Sequence, residues 1–242
     1  MVKYNTIITI IEKELNKTHD GTSLGKLKKT LNKCAEKIRD KKKEQAYLLD
    51  EKGNIILHKK GTKHGVEWDE ETELKGHTNL HITHNHPEGI TLDDIPTTFS
   101  KADMLILRKK NDKGEYYYKS ISAESPNGTR ITLIKNNKFS PLDEDKYFQA
   151  TENYSYACTD YNRMHREKVE EIMKEKIKEI KSKDKYAPVN HLQLHAKTQE
   201  EVTKQIGTLN DYLKEKGIYK QFEECNCKFR ITKNPVDWKS KL

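Results

Sequence analysis

The residues best suited to chemistry are Thr83-His84-Asn85-His86-Pro87 and, further on, Ser100-Lys101-Ala102-Asp103. The apolar run from Leu80 to Thr83 reads as a strand. Side chains on a strand alternate between faces, so His84 and His86 converge on one point. Pro87 and Gly89 then end the strand. After a polar loop Ser100 opens a helical pattern, with Asp103 one turn in and on the same side. Two imidazoles and one carboxylate, with a fourth position left to water, are the donor set of a catalytic zinc site. Ser100 and Asp103 also make a Ser-x-x-Asp capping pair of the kind any helix start favours, and such a cap would hold Ser100 in place.

The order His84-Asn85-His86-Pro87, a loop, then Ser100-x-x-Asp103 resembles the signature of the JAMM (MPN/JAB) metalloproteases, over about residues 24 to 136. That family carries a glutamate on the strand after its first helix, and Glu44, in Glu44-Gln45-Ala46-Tyr47-Leu48-Leu49, occupies the matching position. The resemblance implies an α/β fold, a JAB/MPN-like mixed sheet sandwiched by helices. It implies Zn2+ on His84, His86 and Asp103, with Glu44 and Ser100 as catalytic residues. Two neutral imidazoles and one carboxylate leave the ion a net positive charge, so a water there is acidified to a pKa of about 7. Glu44 would take its proton and pass it to the leaving amine. Ser100 would hydrogen-bond the oxyanion of the tetrahedral intermediate. The expected activity is that of a zinc metallopeptidase or isopeptidase on a protein or peptide substrate, which in this family is often an isopeptide bond to ubiquitin or a ubiquitin-like protein. The loop from Pro87 to Phe99 is longer than the compact loop of many members, and Ile90 to Pro96 is expected to form a flap over the cleft.

Two rival readings use the same fold. One is a non-catalytic docking module of a phage head or assembly protein, suggested by the helical layout after residue 140. The other is a role in DNA transactions, since the DNA-repair-associated RadC branch carries the same metal motif. Charge is the only support for the latter: residues 1–43 hold twelve Lys and Arg against five Asp and Glu, most of the net +8 of the chain. A solvated helix face explains that run equally well, and apart from Tyr4 it holds no Tyr, Phe or Trp to interleave with the basic residues.

Composition narrows the class. With 33% hydrophobic and 35% charged residues, the core must be modest and much of the chain solvated; few glycines and prolines favour long exposed helices over disorder. Four scattered cysteines, Cys34, Cys158, Cys225 and Cys227, do not make a disulfide framework. Cys225-x-Cys227 with His191 and His195 upstream has poor spacing for a second zinc site. No apolar run approaches the roughly 18 residues of a membrane span, and the start has no signal peptide. The expectation is a cytoplasmic protein, in a host cell or virion if phage-encoded.

The elements that must position the site follow from periodicity. A short helix is expected over 5–17, a turn at Asp20 to Ser23, and a second helix over 24–39 from Leu24, Leu27, Leu31 and Ile38. Ala46 to Asp50 and Ile55 to His58 read as a hairpin turning at Gly53. A strand is expected within 62–68, and a helical turn capped by Asp69. A site helix over 100–109 precedes strands at 116–122 and 130–134. From Asp143 to about Lys183 nothing breaks a helix, and Met164, Val169, Ile172, Met173, Ile177 and Ile180 form a narrow seam. Tyr147, Phe148, Tyr154, Tyr156 and Tyr161 are expected to pack in the core. Residues 185–195 read as a linker, 198–216 as a helix, and 218–242 as short strand or loop. These give an N-terminal helical lead over 1–23, a JAB/MPN-like domain over 24–140 and a helical C-terminal extension over 141–242.

Overall fold

The structure, a computed structural model, describes residues 21–87, 98–126 and 128–233. The expected helix over 5–17, the flap at Ile90 to Pro96, residue Asn127 and the tail after residue 233 lie outside the described residues.

The first described helix, α1, is Gly21–Ile38, so the turn expected there is helical instead. The hairpin follows as β1 (Gln45–Leu49) and β2 (Ile55–Lys60), paired antiparallel. Gly53 serves it twice. Its φ of +74° suits a residue without Cβ, and a Cβ there would lie 2.7 Å from the Leu27 backbone, so the turn packs directly on α1. No strand forms over 62–68. Thr62 and Gly65 close a tight turn, with the Thr62 N–H donating to the Gly65 carbonyl at 2.9 Å, and the chain leaves the sheet. Asp69 caps α2 (Glu70–Glu73), accepting the Glu71 N–H at 3.0 Å.

β3 (Leu80–Asn85) lies beside β1, antiparallel, and beside β4 (Tyr118–Glu124), parallel. Parallel neighbours need a crossover, and this one carries α3 (Lys101–Leu105) and a 3-10 turn at Ile106–Arg108. β5 (Thr129–Lys135) returns antiparallel to β4. α4 (Glu144–Lys183) runs unbroken for 40 residues. The expected linker and single helix are instead α5 (His191–Ile206) and α6 (Leu209–Glu215). Asn190 caps α5, and Gly207, at φ +81°, breaks the two apart before Thr208 caps the second.

The tail, expected as short strand or loop, contains the strand but begins as a helix. It forms α7 (Ile218–Glu224), turns at Asn226 (φ 57°) and enters the sheet as β6 (Cys227–Lys233), antiparallel to β5. The result is a six-stranded mixed sheet in the order β2-β1-β3-β4-β5-β6. Alternation along β1 divides its faces. Tyr47 and Leu49 pack with Leu27, Cys34 and Ile38 of α1. Ala46 and Leu48 face the main core with Leu80, Ile82, Ile121 and Leu133, and that core takes in Tyr147, Tyr154 and Tyr161 of α4, Phe222 of α7 and Phe229 of β6. Phe148 and Tyr156, expected in the core, are exposed. Val169 and Ile172 of the α4 seam close against Val202 of α5. All four cysteines are buried free thiols, and no helix among the described residues is long and apolar enough to cross a membrane.

Candidate metal centre

Three segments meet at the carboxyl end of β3. Along that strand Leu80, Ile82 and His84 point to the main core, while His81, Thr83 and Asn85 point toward α1, as period-two alternation requires. His86 lies just past the strand, and its backbone N–H donates to the Glu124 carbonyl at 3.0 Å. The His84 and His86 Nε2 atoms come within 2.9 Å of each other.

Glu44 enters from the start of β1. Ala46 pairs with His84, so the antiparallel register extended by two residues sets Glu44 across from His86. Asn85 keeps that register. It points to the other face, accepts the Gln45 N–H on Oδ1 at 2.7 Å and donates from Nδ2 to the Lys41 carbonyl at 3.1 Å. The residue between the two histidines thus fixes the chain on either side of Glu44. Sequence reasoning gave Asn85 no role; its position between two convergent residues, where period two sends it to the opposite face, was the available signal.

Asp103 arrives on α3. Its Oδ1 lies 3.2 Å from His84 Nε2 and its Oδ2 3.4 Å from His86 Nε2. Ser100 and Asp103 form a reciprocal capping box: the Asp103 N–H donates to Ser100 Oγ at 3.1 Å, and the Ser100 N–H to Asp103 Oδ2 at 2.7 Å. Ser100 is therefore bound to the centre through Asp103, and its side chain is exposed.

All five residues singled out from the sequence are thus found together. One ligand atom each from Glu44, His84, His86 and Asp103 lies within 4.8 Å of the others, and among the described residues this is the group of His, Cys, Asp and Glu able to hold a metal ion. His191, His195, Cys225 and Cys227 form no such group. His81, three residues before His84 and so on the opposite face, is buried toward α1, with Nδ1 2.8 Å from Ser120 Oγ.

The donor set fits a small cation. With Zn–N and Zn–O bonds of about 2.1 Å, a tetrahedral site has edges of about 3.4 Å. The three separations among His84, His86 and Asp103 are 2.9, 3.2 and 3.4 Å. His84 Nδ1 is buried without a hydrogen-bond partner of good geometry, while the nearby Ser122 backbone favours its protonation. Such a placement suits a ligand that presents Nε2 to an ion and keeps its proton on Nδ1.

The protonation pattern agrees. Burial raises the Glu44 carboxyl above the usual range; His84 and His86 oppose that shift, and Asp103 adds to it. Burial also works to raise Asp103, but the imidazoles of His84 and His86 outweigh it and hold this carboxyl well below the ordinary range. For His84, burial favours the neutral ring, yet Asp103 and Glu44 outweigh it and raise the pKa. Positive charge is thus favoured between the two carboxylates, as a bound cation would supply.

No family model, curated protein or solved structure matches this chain.

Proposed function

We propose that this chain is a metal-dependent hydrolase of the JAMM (JAB/MPN) type, with zinc on His84, His86 and Asp103, cleaving a peptide or isopeptide bond. The observation that carries the reading is convergence. Four donors from β1, the end of β3 and α3, more than fifty residues apart in sequence between Glu44 and Asp103, close to within 4.8 Å. They do so in the motif order that resembles that family. Asn85 fixes the chain on either side of Glu44, and the capping box ties Ser100 to Asp103, so the donors are held by the fold around them.

A zinc ion held there would supply Lewis acidity and bring the pKa of a water near 7. The residues of the chain do the rest. Glu44, with its carboxyl raised by burial, is the base: it accepts a proton from the attacking water and returns it to the leaving nitrogen. Ser100, fixed by the cap, presents its hydroxyl to the oxygen that gains negative charge. Asp103 would help hold the ion, and its Oδ2 takes the Ser100 N–H, so ligand and hydroxyl are joined through one cap.

The test is metal content by elemental analysis, wild type beside His84→Ala/His86→Ala. About one zinc per chain in the wild type, lost in the double variant, is expected. Glu44→Gln should keep its zinc and lose turnover on peptide and isopeptide substrates by roughly 10²–10⁴-fold. A wild type that takes up no metal even when zinc is supplied would overturn the reading. Bound zinc with no cleavage of any peptide would leave the fold as a docking module.

A further inference from the structure

The long helix α4 carries three tyrosines at seven-residue spacing, Tyr147, Tyr154 and Tyr161, and all three are buried. Residues seven apart lie nearly on one line of a helix, so the three form a ladder on its inner face. Each hydroxyl bonds to the backbone of another segment. Tyr147 donates to the Met104 carbonyl at 2.6 Å, Tyr154 accepts the Phe99 N–H at 3.1 Å, and Tyr161 donates to the Gly207 carbonyl at 3.0 Å. The first two rungs therefore grip the segment 99–104 at both ends. That segment contains Ser100 and Asp103, and its Phe99 ring stacks toward His84 with centroids 6.4 Å apart.

We propose that Tyr154, with Tyr147 below it, is the positioning residue that holds Asp103 and Ser100 at the metal centre, so that α4 works as part of the site. This rests on the metal reading given above. The physical reason is the shortness of α3. A helix of five residues has little stability of its own, and its start is fixed only by the capping box and by what it packs against. The Phe99 N–H lies immediately before the cap and is buried, so without an acceptor it would have to move toward water. Such a movement would carry Ser100 and Asp103 off the histidines, which the sheet holds independently. Lys101 adds an ion pair to Glu152 of α4, at the exposed edge.

The experiment compares Tyr154→Phe with Tyr161→Phe in the full chain. Both lose one buried hydroxyl bonded to backbone, on the same helix face, but only the first touches the site segment. Zn2+ affinity is measured by competition with a chromophoric chelator, the Co2+ absorption spectrum reports ligand geometry, and thermal unfolding without metal reports stability. Comparable losses of stability are expected, with a 10- to 100-fold loss of Zn2+ affinity and an altered Co2+ spectrum in Tyr154→Phe alone. Wild-type affinity and spectrum in Tyr154→Phe, or equal losses in both variants, would overturn the proposal while leaving the metal reading intact. A wild type that binds neither ion overturns both. Should Tyr154→Phe not fold, amide exchange in the wild type decides: Zn2+ should slow exchange at Phe99, Met104 and 147–154 but not at 170–183. Unchanged exchange at 147–154 would remove the idea.

Discussion

At the scale of the residue, burial decides what each histidine does. His84 and His81 share β3, three residues apart, and both are buried. His84 faces two carboxylates and is raised in pKa, whereas burial lowers His81 to about 4, with Lys119 adding to the shift and Asp50 opposing it. For His81 the sign follows directly. Between pH 6.5 and 4 the unfolded chain binds a proton that the folded chain does not, so its contribution is intact above pH 6.5 and is lost as pH falls toward 4. The loss amounts to about 3 kcal/mol. Denaturant unfolding at pH 7.5, 6 and 4.5 should show a shallower acid slope for His81→Gln than for wild type; parallel slopes would contradict this. Asn85 makes a second residue-scale case. Asn85→Ala leaves the Gln45 N–H without its acceptor, and a loss of about 1–3 kcal/mol is expected in the same measurement. In the metal reading, zinc binding should survive, with Glu44 less well held and turnover reduced more than metal affinity.

At the scale of the element, the turns and caps bear the specificity. Gly53 joins β1 to β2 in a conformation with positive φ and lies against the backbone of α1. Gly53→Ala is therefore strained twice and should destabilise by more than about 1 kcal/mol, in contrast to the gain such a change gives at a compatible site. Unchanged unfolding of Gly53→Ala would show that α1 gives way freely. Ser100→Ala removes half of the capping box on α3, at a cost of about 1 kcal/mol to the helix start. In the metal reading it should also weaken zinc binding, since Asp103 is held through that cap; elemental analysis beside the unfolding curve would separate the two effects.

At the scale of the whole molecule, the sheet and the C-terminal helices share one core. Tyr147 and Tyr154 pack with Ile82 and Ile121, and β6 supplies the sixth strand along with Phe229. Removing residues 141–242 would expose that face of the sheet and leave β5 as an edge. A fragment ending at residue 140 is thus expected to lack a cooperative thermal transition by circular dichroism. A sharp transition in that fragment would mean that the sheet and α1 suffice alone. In the metal reading, zinc should raise the melting temperature of the full chain with the logarithm of its free concentration above Kd, and not that of His84→Ala/His86→Ala.

The sequence by itself determined the local part of this protein. Period two along Leu80 to His86 sent both histidines to one face; the Ser100-x-x-Asp103 spacing set the cap; the seam from Val169 marked α4; Gly53 marked the hairpin. Each depends on residues within a few positions of one another, where geometry leaves few choices. Pairings between distant segments were decided only in three dimensions. That Glu44 lies across from His86 depends on the register of β1 against β3. That Asp103 returns to the histidines depends on the crossover to a parallel β4. Residues 227–233 are a strand because β5 offers an open edge beside a core that Phe229 completes, and Gly207 ends a helix that composition alone would continue. Such contacts arise from loop closure and shared burial rather than from local preference. For the same reason Tyr154, fifty-five residues from Phe99, reads in the sequence as one aromatic among several, and only the fold brings it to the site.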